Sequence, residues 1–276
     1  MPAKAGIHVF FSPQKQEREA SHRILQAIIF SITAFSLSAC AVPDSHAPAF
    51  AQHEYAPFSR ADAVAIATDE WRLWGSRVDD KWGAGYIQRD ATMGERQPGL
   101  WQRVGEYWWE GMNAGEPDNA WTGKHDASGK VFPVAVNGQY AWSAAFISYV
   151  MRIAGAGANF PYAPDHATYI NYAARAAEGE IRNPLLIAEN PATYAPRLGD
   201  LLCFGRGHAR ALTFADLPTS HPFPGHCAIV VAGAVHQLSV ISGNVDDAVV
   251  LQHVPADDAG RVGLPWMVVL RVMYQR

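Results

Sequence analysis

The sequence predicts an α+β domain, and three observations predict it. Segments with helical periodicity recur between residues 59 and 179. From residue 199 the period changes to short runs rich in Val, Ile and Leu, separated by turn residues. One segment between them, "YAWSAAFISYVMRIAGAG" at 140–157, is apolar nearly all round and reads as a core helix. Helices first and strands afterwards argue for a core helix packed on an antiparallel curved sheet, with additional N-terminal helices.

The elements follow in order. Ser59 suits an N-cap, with Asp62 three residues on, and Val64, Ala67, Trp71 and Trp74 then share one face of a first helix. A second helix is expected over "GLWQRVGEYWWEGMN", where Leu100, Val104, Trp108 and Gly111 align. Trp108 and Trp109 are adjacent and point about 100° apart on a helix, so at most one faces the core. The other could form part of a binding surface. Residues 113–138 carry six Gly or Pro and read as loop. The core helix is expected from about Trp142 to Ala154, with Arg152 suiting its C-terminal dipole and Gly155 terminating it. A shorter helix follows at "DHATYINYAARAAEG". The segments "GDLLCF", "HCAIVVA", "HQLSVIS", "AVVLQHV" and "WMVVLRV" then predict a meander of strands.

Ahead of this domain lies a different kind of sequence. Lys15, Arg18 and Arg23 precede the apolar run "ILQAIIFSITAFSLSAC", which is short for a membrane span and fits a signal-peptide core. Its end, Leu37-Ser38-Ala39-Cys40, resembles the lipobox of bacterial lipoproteins. That resemblance implies lipidation at Cys40, cleavage before it, and a mature chain of 276 − 39 = 237 residues. Ala41 follows, where an Asp would favour retention in the inner membrane, so the resemblance implies the outer membrane with the domain facing the periplasm. Residues 40–58, rich in Ala and Pro, read as a tether, and 59–276 as the folded domain.

Composition narrows the function. The chain is 49% hydrophobic and 17% charged with a net charge of −4, so no broad basic field points to nucleic acid. Cys203, His208, His221, His226 and Cys227 lie near one another, but their spacing matches no compact zinc motif and HExxH is absent. No phosphate-binding glycine motif occurs, so neither metal nor cofactor is expected. In an oxidising compartment Cys203 and Cys227 can form a disulfide or remain as buried thiols; the sequence leaves both open.

The order of short motifs adds a resemblance. "W-S-A-A-F" on a helix, then "GDLL", then "GH" opening an apolar strand, then "GN" after the next strand, resembles the papain-like NlpC and CHAP cell-wall peptidases and amidases. More narrowly, residues 60–275 resemble the bacterial domain-of-unknown-function family 2272. The papain-like resemblance implies hydrolysis of an amide bond in peptidoglycan, or a related acyl transfer. Position by position it makes Ser143 the nucleophile, His226 the general base and Asn244 the group that orients the imidazole. Ser143 stands where those enzymes carry Cys. A serine needs a neutral base to take its proton, whereas a thiol can be ionised beforehand. Trp142, Asp165 and His166 are expected to line the same cleft. Without the resemblance each residue has a plainer reading: Ser143 as a cap, Asp165 as the cap of the next helix, Trp142 as core, Asn244 as a turn residue. The rival function is a non-catalytic module whose cleft binds a wall peptide or an envelope protein.

Overall fold

A computed structural model describes residues 57–80, 94–112 and 120–273, within a compact unit spanning Tyr55–Arg276. The expected signal segment, Cys40 and nearly all of the tether lie outside the described residues. Among the described residues, no helix is long and apolar enough to cross a membrane.

Helix α1 runs Arg60–Leu73, and Ser59 caps it by accepting the Asp62 N–H at 3.1 Å. Its buried face is Arg60, Ala63, Ala67 and Glu70, continued by Trp74; Val64 and Trp71 are only half-buried. The expected apolar stripe is therefore displaced, because both polar residues have partners inside. Arg60 pairs with the wholly buried Asp200 at 2.6 Å. Glu70 accepts from Arg103 at 3.0 Å, from Tyr107 at 2.5 Å and from Tyr149 at 3.1 Å. A buried polar group with its hydrogen bonds made is tolerated.

Helix α2 spans Leu100–Gly111 and buries Val104, Tyr107, Trp108 and Gly111. Trp108 is 1% exposed and its neighbour Trp109 54%, as their angular separation requires. Helix α3, Ser143–Ile153, is buried continuously from Ser143 to Met151. It packs against α1 and α2 on one side and the sheet on the other. Gly155 ends it in a left-handed conformation at φ 89°, donating to the Arg152 carbonyl at 2.9 Å. Helix α4 covers His166–Ala177, capped by Asp165, which accepts the Thr168 N–H at 2.9 Å.

The sheet has six strands: β1 Leu186–Glu189, β2 Leu201–Gly205, β3 Gly225–Ala234, β4 Gln237–Val245, β5 Ala248–Pro255 and β6 Val268–Val272. They lie in the order β1-β6-β2-β3-β4-β5, antiparallel throughout. The run from β2 to β5 is the expected meander. The last strand departs from it, returning to insert between β1 and β2. Strand β1 was not visible in the sequence, because four residues, "LIAE", are too few for alternation to register.

Alternation along the strands builds two apolar layers. Cys203, Cys227, Ile229, Ile241 and Leu270 face the helices. Leu202, Ala228, Val230, Val240 and Val269 form the other layer with Trp266. Cys203 and Cys227 are direct register partners, 4.2 Å apart at Cα, and are joined as a disulfide. This resolves the open alternative.

Close approach of α3 to β4 depends on Gly243. A Cβ there would lie 2.7 Å from Phe146 Cβ and from Trp142 Cζ3. Gly243→Ala should therefore destabilise the domain by about 2–3 kcal/mol through overpacking. The urea midpoint checks this, and an unchanged midpoint would contradict the packing described.

Candidate active site

Ser143 is the first residue of α3, yet it does not cap the helix, whose N-terminus has no side-chain cap. Its Oγ instead lies 2.8 Å from His166 Nε2. The pairing follows from how the starts of α3 and α4 are pinned together. The Tyr169 hydroxyl, one turn into α4, lies 2.5 Å from Ser148 Oγ and 2.6 Å from the carbonyl oxygens of Ala144 and Ala163. His166 is thereby held over the N-terminal turn of α3, where unpaired amides carry partial positive charge.

His226, near the start of β3, stands beside this pair. Its ring centroid is 5.5 Å from that of His166, at an interplanar angle of 61°, and 5.6 Å from Phe204. Ser143, His166 and His226 are 5%, 3% and 4% exposed, so three polar groups converge in a nearly closed site. Among the described residues, His226 Nδ1 and Nε2 and His166 Nδ1 have no hydrogen-bond partner. Ser143 therefore bonds to His166 and not to His226, the residue expected to serve as its base.

Asn244 orients neither ring: His166 Nε2 is bonded to Ser143, and none of the other three ring nitrogens is bonded to Asn244. It sits at φ 58°, where the β4–β5 register shifts between Ser242 and Val245. That bulge breaks the alternation which would have carried a side chain through to Asn244. Trp142 is wholly buried, stacked on Trp74 at 5.3 Å, and its indole N–H donates to Glu95. It shapes the floor beneath Ser143 and presents no surface to a ligand. Asp165 acts as the cap of α4. Among the described residues, no cluster of three His, Cys, Asp or Glu could hold a metal ion.

Both imidazoles are kept neutral. Burial pushes His226 down to about 3, and the Arg206 charge adds to the effect. Burial, then His226 and Arg206, hold His166 well below the ordinary range. Unfolded, each would titrate near 6.5. Between the folded and unfolded values the unfolded chain binds more protons, so stability rises with pH there. Their contribution is complete above about 6.5 and is lost as pH falls toward 3. Going from pH 6.5 to 5, His226 alone should lower stability by about 1.5–2 kcal/mol, and His166 acts in the same direction. Urea titrations at both pH values check this, and His226→Gln should remove the His226 share. An equal pH dependence in the variant would contradict the assignment.

Sequence reasoning missed the pairing of His166 with Ser143, and it missed Arg206 altogether. The Asp-His dipeptide at a helix start was the available signal for the first. Nothing in the local pattern marked the second.

No curated protein and no solved structure matches the chain. The model of a family described as an uncharacterised protein conserved in bacteria (DUF2272) matches residues 95–272, which hold α2 to α4, the whole sheet and every residue of this site. The chain therefore belongs to that family of bacterial proteins of unknown function.

Proposed function

We propose that the protein is a cell-envelope hydrolase or acyl transferase of papain-like ancestry, acting on an amide bond of peptidoglycan with Ser143 as nucleophile. The observation that carries this reading is the 2.8 Å contact from Ser143 Oγ to a neutral imidazole nitrogen of His166 at a helix N-terminus. As Oγ attacks the carbonyl carbon, its proton passes to His166 Nε2. The oxyanion forms near the first amides of α3. The amine leaves with the proton, and water or a second nucleophile then releases the acyl group from Ser143. For Nε2 to accept, Nδ1 carries the hydrogen. His166 thus replaces His226 as the proposed base, and no third group is assigned to orient it.

We further propose lipid attachment at Cys40 and a periplasmic position at the outer membrane. The buried Cys203–Cys227 disulfide supports an oxidising compartment. The second reading, a non-catalytic module binding a wall peptide or an envelope protein, is favoured by one observation. Among the described residues, His166 Nδ1 has no acceptor to hold the ring in its basic tautomer.

Incubation of the full chain in detergent with purified sacculi separates the two. The hydrolase reading expects soluble muropeptides from the wild type and none from Ser143→Ala. Sedimentation with sacculi without release would favour the binding module.

A further inference from the structure

Three features of the site do not explain one another. Among the described residues, His226 is buried with both ring nitrogens unpartnered, and His166 is buried with Nδ1 unpartnered. A neutral imidazole always carries one N–H. The His226 N–H therefore has no acceptor among the described residues, and a buried donor left so is costly. Arg206 lies at the same end of the sheet. It follows Gly205, the register partner of Gly225, and its backbone N–H bonds to the Pro224 carbonyl at 2.7 Å. Among the described residues, its guanidinium pairs with no carboxylate. The charged residue that acts on it is another cation, Arg210, in the same short 3-10 turn.

An orphaned buried donor beside an unpaired cation is half of an anion site. A metal cation does not suit it, because the Arg206 charge would repel it. A water could accept one hydrogen bond, but it would leave the guanidinium without a counter-charge. A planar carboxylate satisfies both demands: one oxygen for the imidazole N–H, and the other for the fork of the guanidinium.

We propose that Arg206 and the N–H of His226 form a subsite for a carboxylate of the ligand, adjacent to the bond presented to Ser143. This deepens the reading of the Ser143 site given above, and it selects peptides bearing a free carboxyl group next to the reacting amide. It also gives the base a function in the bound state. The Arg206 charge is among the influences depressing both imidazoles. A carboxylate seated on Arg206 offsets that charge and raises His166 toward the range in which it accepts a proton well. The ligand would thus complete the base.

The test is calorimetric and does not need turnover. The full-length Ser143→Ala chain in detergent is titrated with N-acetyl-alanyl-alanine, with its C-terminal amide, and with inorganic phosphate. The free acid should bind at least tenfold more tightly than the amide. Arg206→Ala should abolish that preference and Arg206→Lys should restore part of it. In 15N spectra the acid, and not the amide, should shift a His226 ring nitrogen. Equal or undetectable binding of acid and amide overturns the proposal, as does a preference that survives Arg206→Ala. Phosphate displacing the peptide at equal concentration would assign the subsite to a phosphate ligand instead. Since the nucleophile is already removed, a failure of sacculus digestion leaves these results as they stand.

Discussion

Ser143→Ala is expected to lower turnover roughly 10⁴–10⁶-fold while the fold survives. Among the described residues the hydroxyl bonds to His166, and α3 does not depend on it for capping. Its loss should therefore change stability by only about 1 kcal/mol. A role as a cap would give the reverse pattern: a measurable loss of helix stability and no change in chemistry. Pre-steady-state release from a chromogenic amide, alongside a urea titration of the same variant, reads both quantities. His166→Ala should reproduce the activity loss, and the two losses should not add, because base and nucleophile act as a unit.

Asp200→Ala is expected to cost about 3–5 kcal/mol of stability. Asp200 precedes β2 and is wholly buried. One carboxylate oxygen accepts from Arg60 at 2.6 Å and from the Val272 N–H at 3.0 Å. The other accepts from the Tyr194 hydroxyl at 3.0 Å and from the Arg197 N–H at 2.8 Å. The side chain joins α1, β6 and the approach to β2. Alanine would remove the carboxylate that faces the buried Arg60 charge, and breaking one side of a buried ion pair costs more than replacing both sides. Arg60→Met combined with Asp200→Ala should therefore recover part of the loss. Thermal denaturation of the two variants checks the order, and a double variant less stable than Asp200→Ala would contradict it.

These two residues mark where the sequence was legible and where it was not. The period change at residue 199 and the apolar circumference of 143–153 are local properties, and both carried through to the fold. The insertion of β6 between β1 and β2 is not local, since nothing in "WMVVLRV" names its neighbours. The buried face of α1 was misread because Arg60 and Glu70 look like surface residues until Asp200 and Arg103 come within reach. In the site, motif order pointed to Ser143 and His226, and each lies close to His166. It chose His226 as the base, whereas the hydroxyl of Ser143 meets His166. That pairing depends on where α4 begins, and the tyrosine that pins it lies 25 residues from its Ala144 contact.

The serine is also easier to understand with the geometry in view. A thiolate–imidazolium pair needs a charged histidine, and burial with Arg206 nearby opposes that charge. A hydroxyl needs the imidazole neutral, which is the state this site maintains.

The central claim is that His166 activates Ser143 for attack on an electrophile. The most direct measurement treats the full chain in detergent with a fluorophosphonate probe and maps the adduct by peptide mass spectrometry. The account predicts stoichiometric labelling of Ser143 in the wild type and its loss in His166→Gln. An unlabelled Ser143, or labelling undiminished when His166 is replaced, would contradict it.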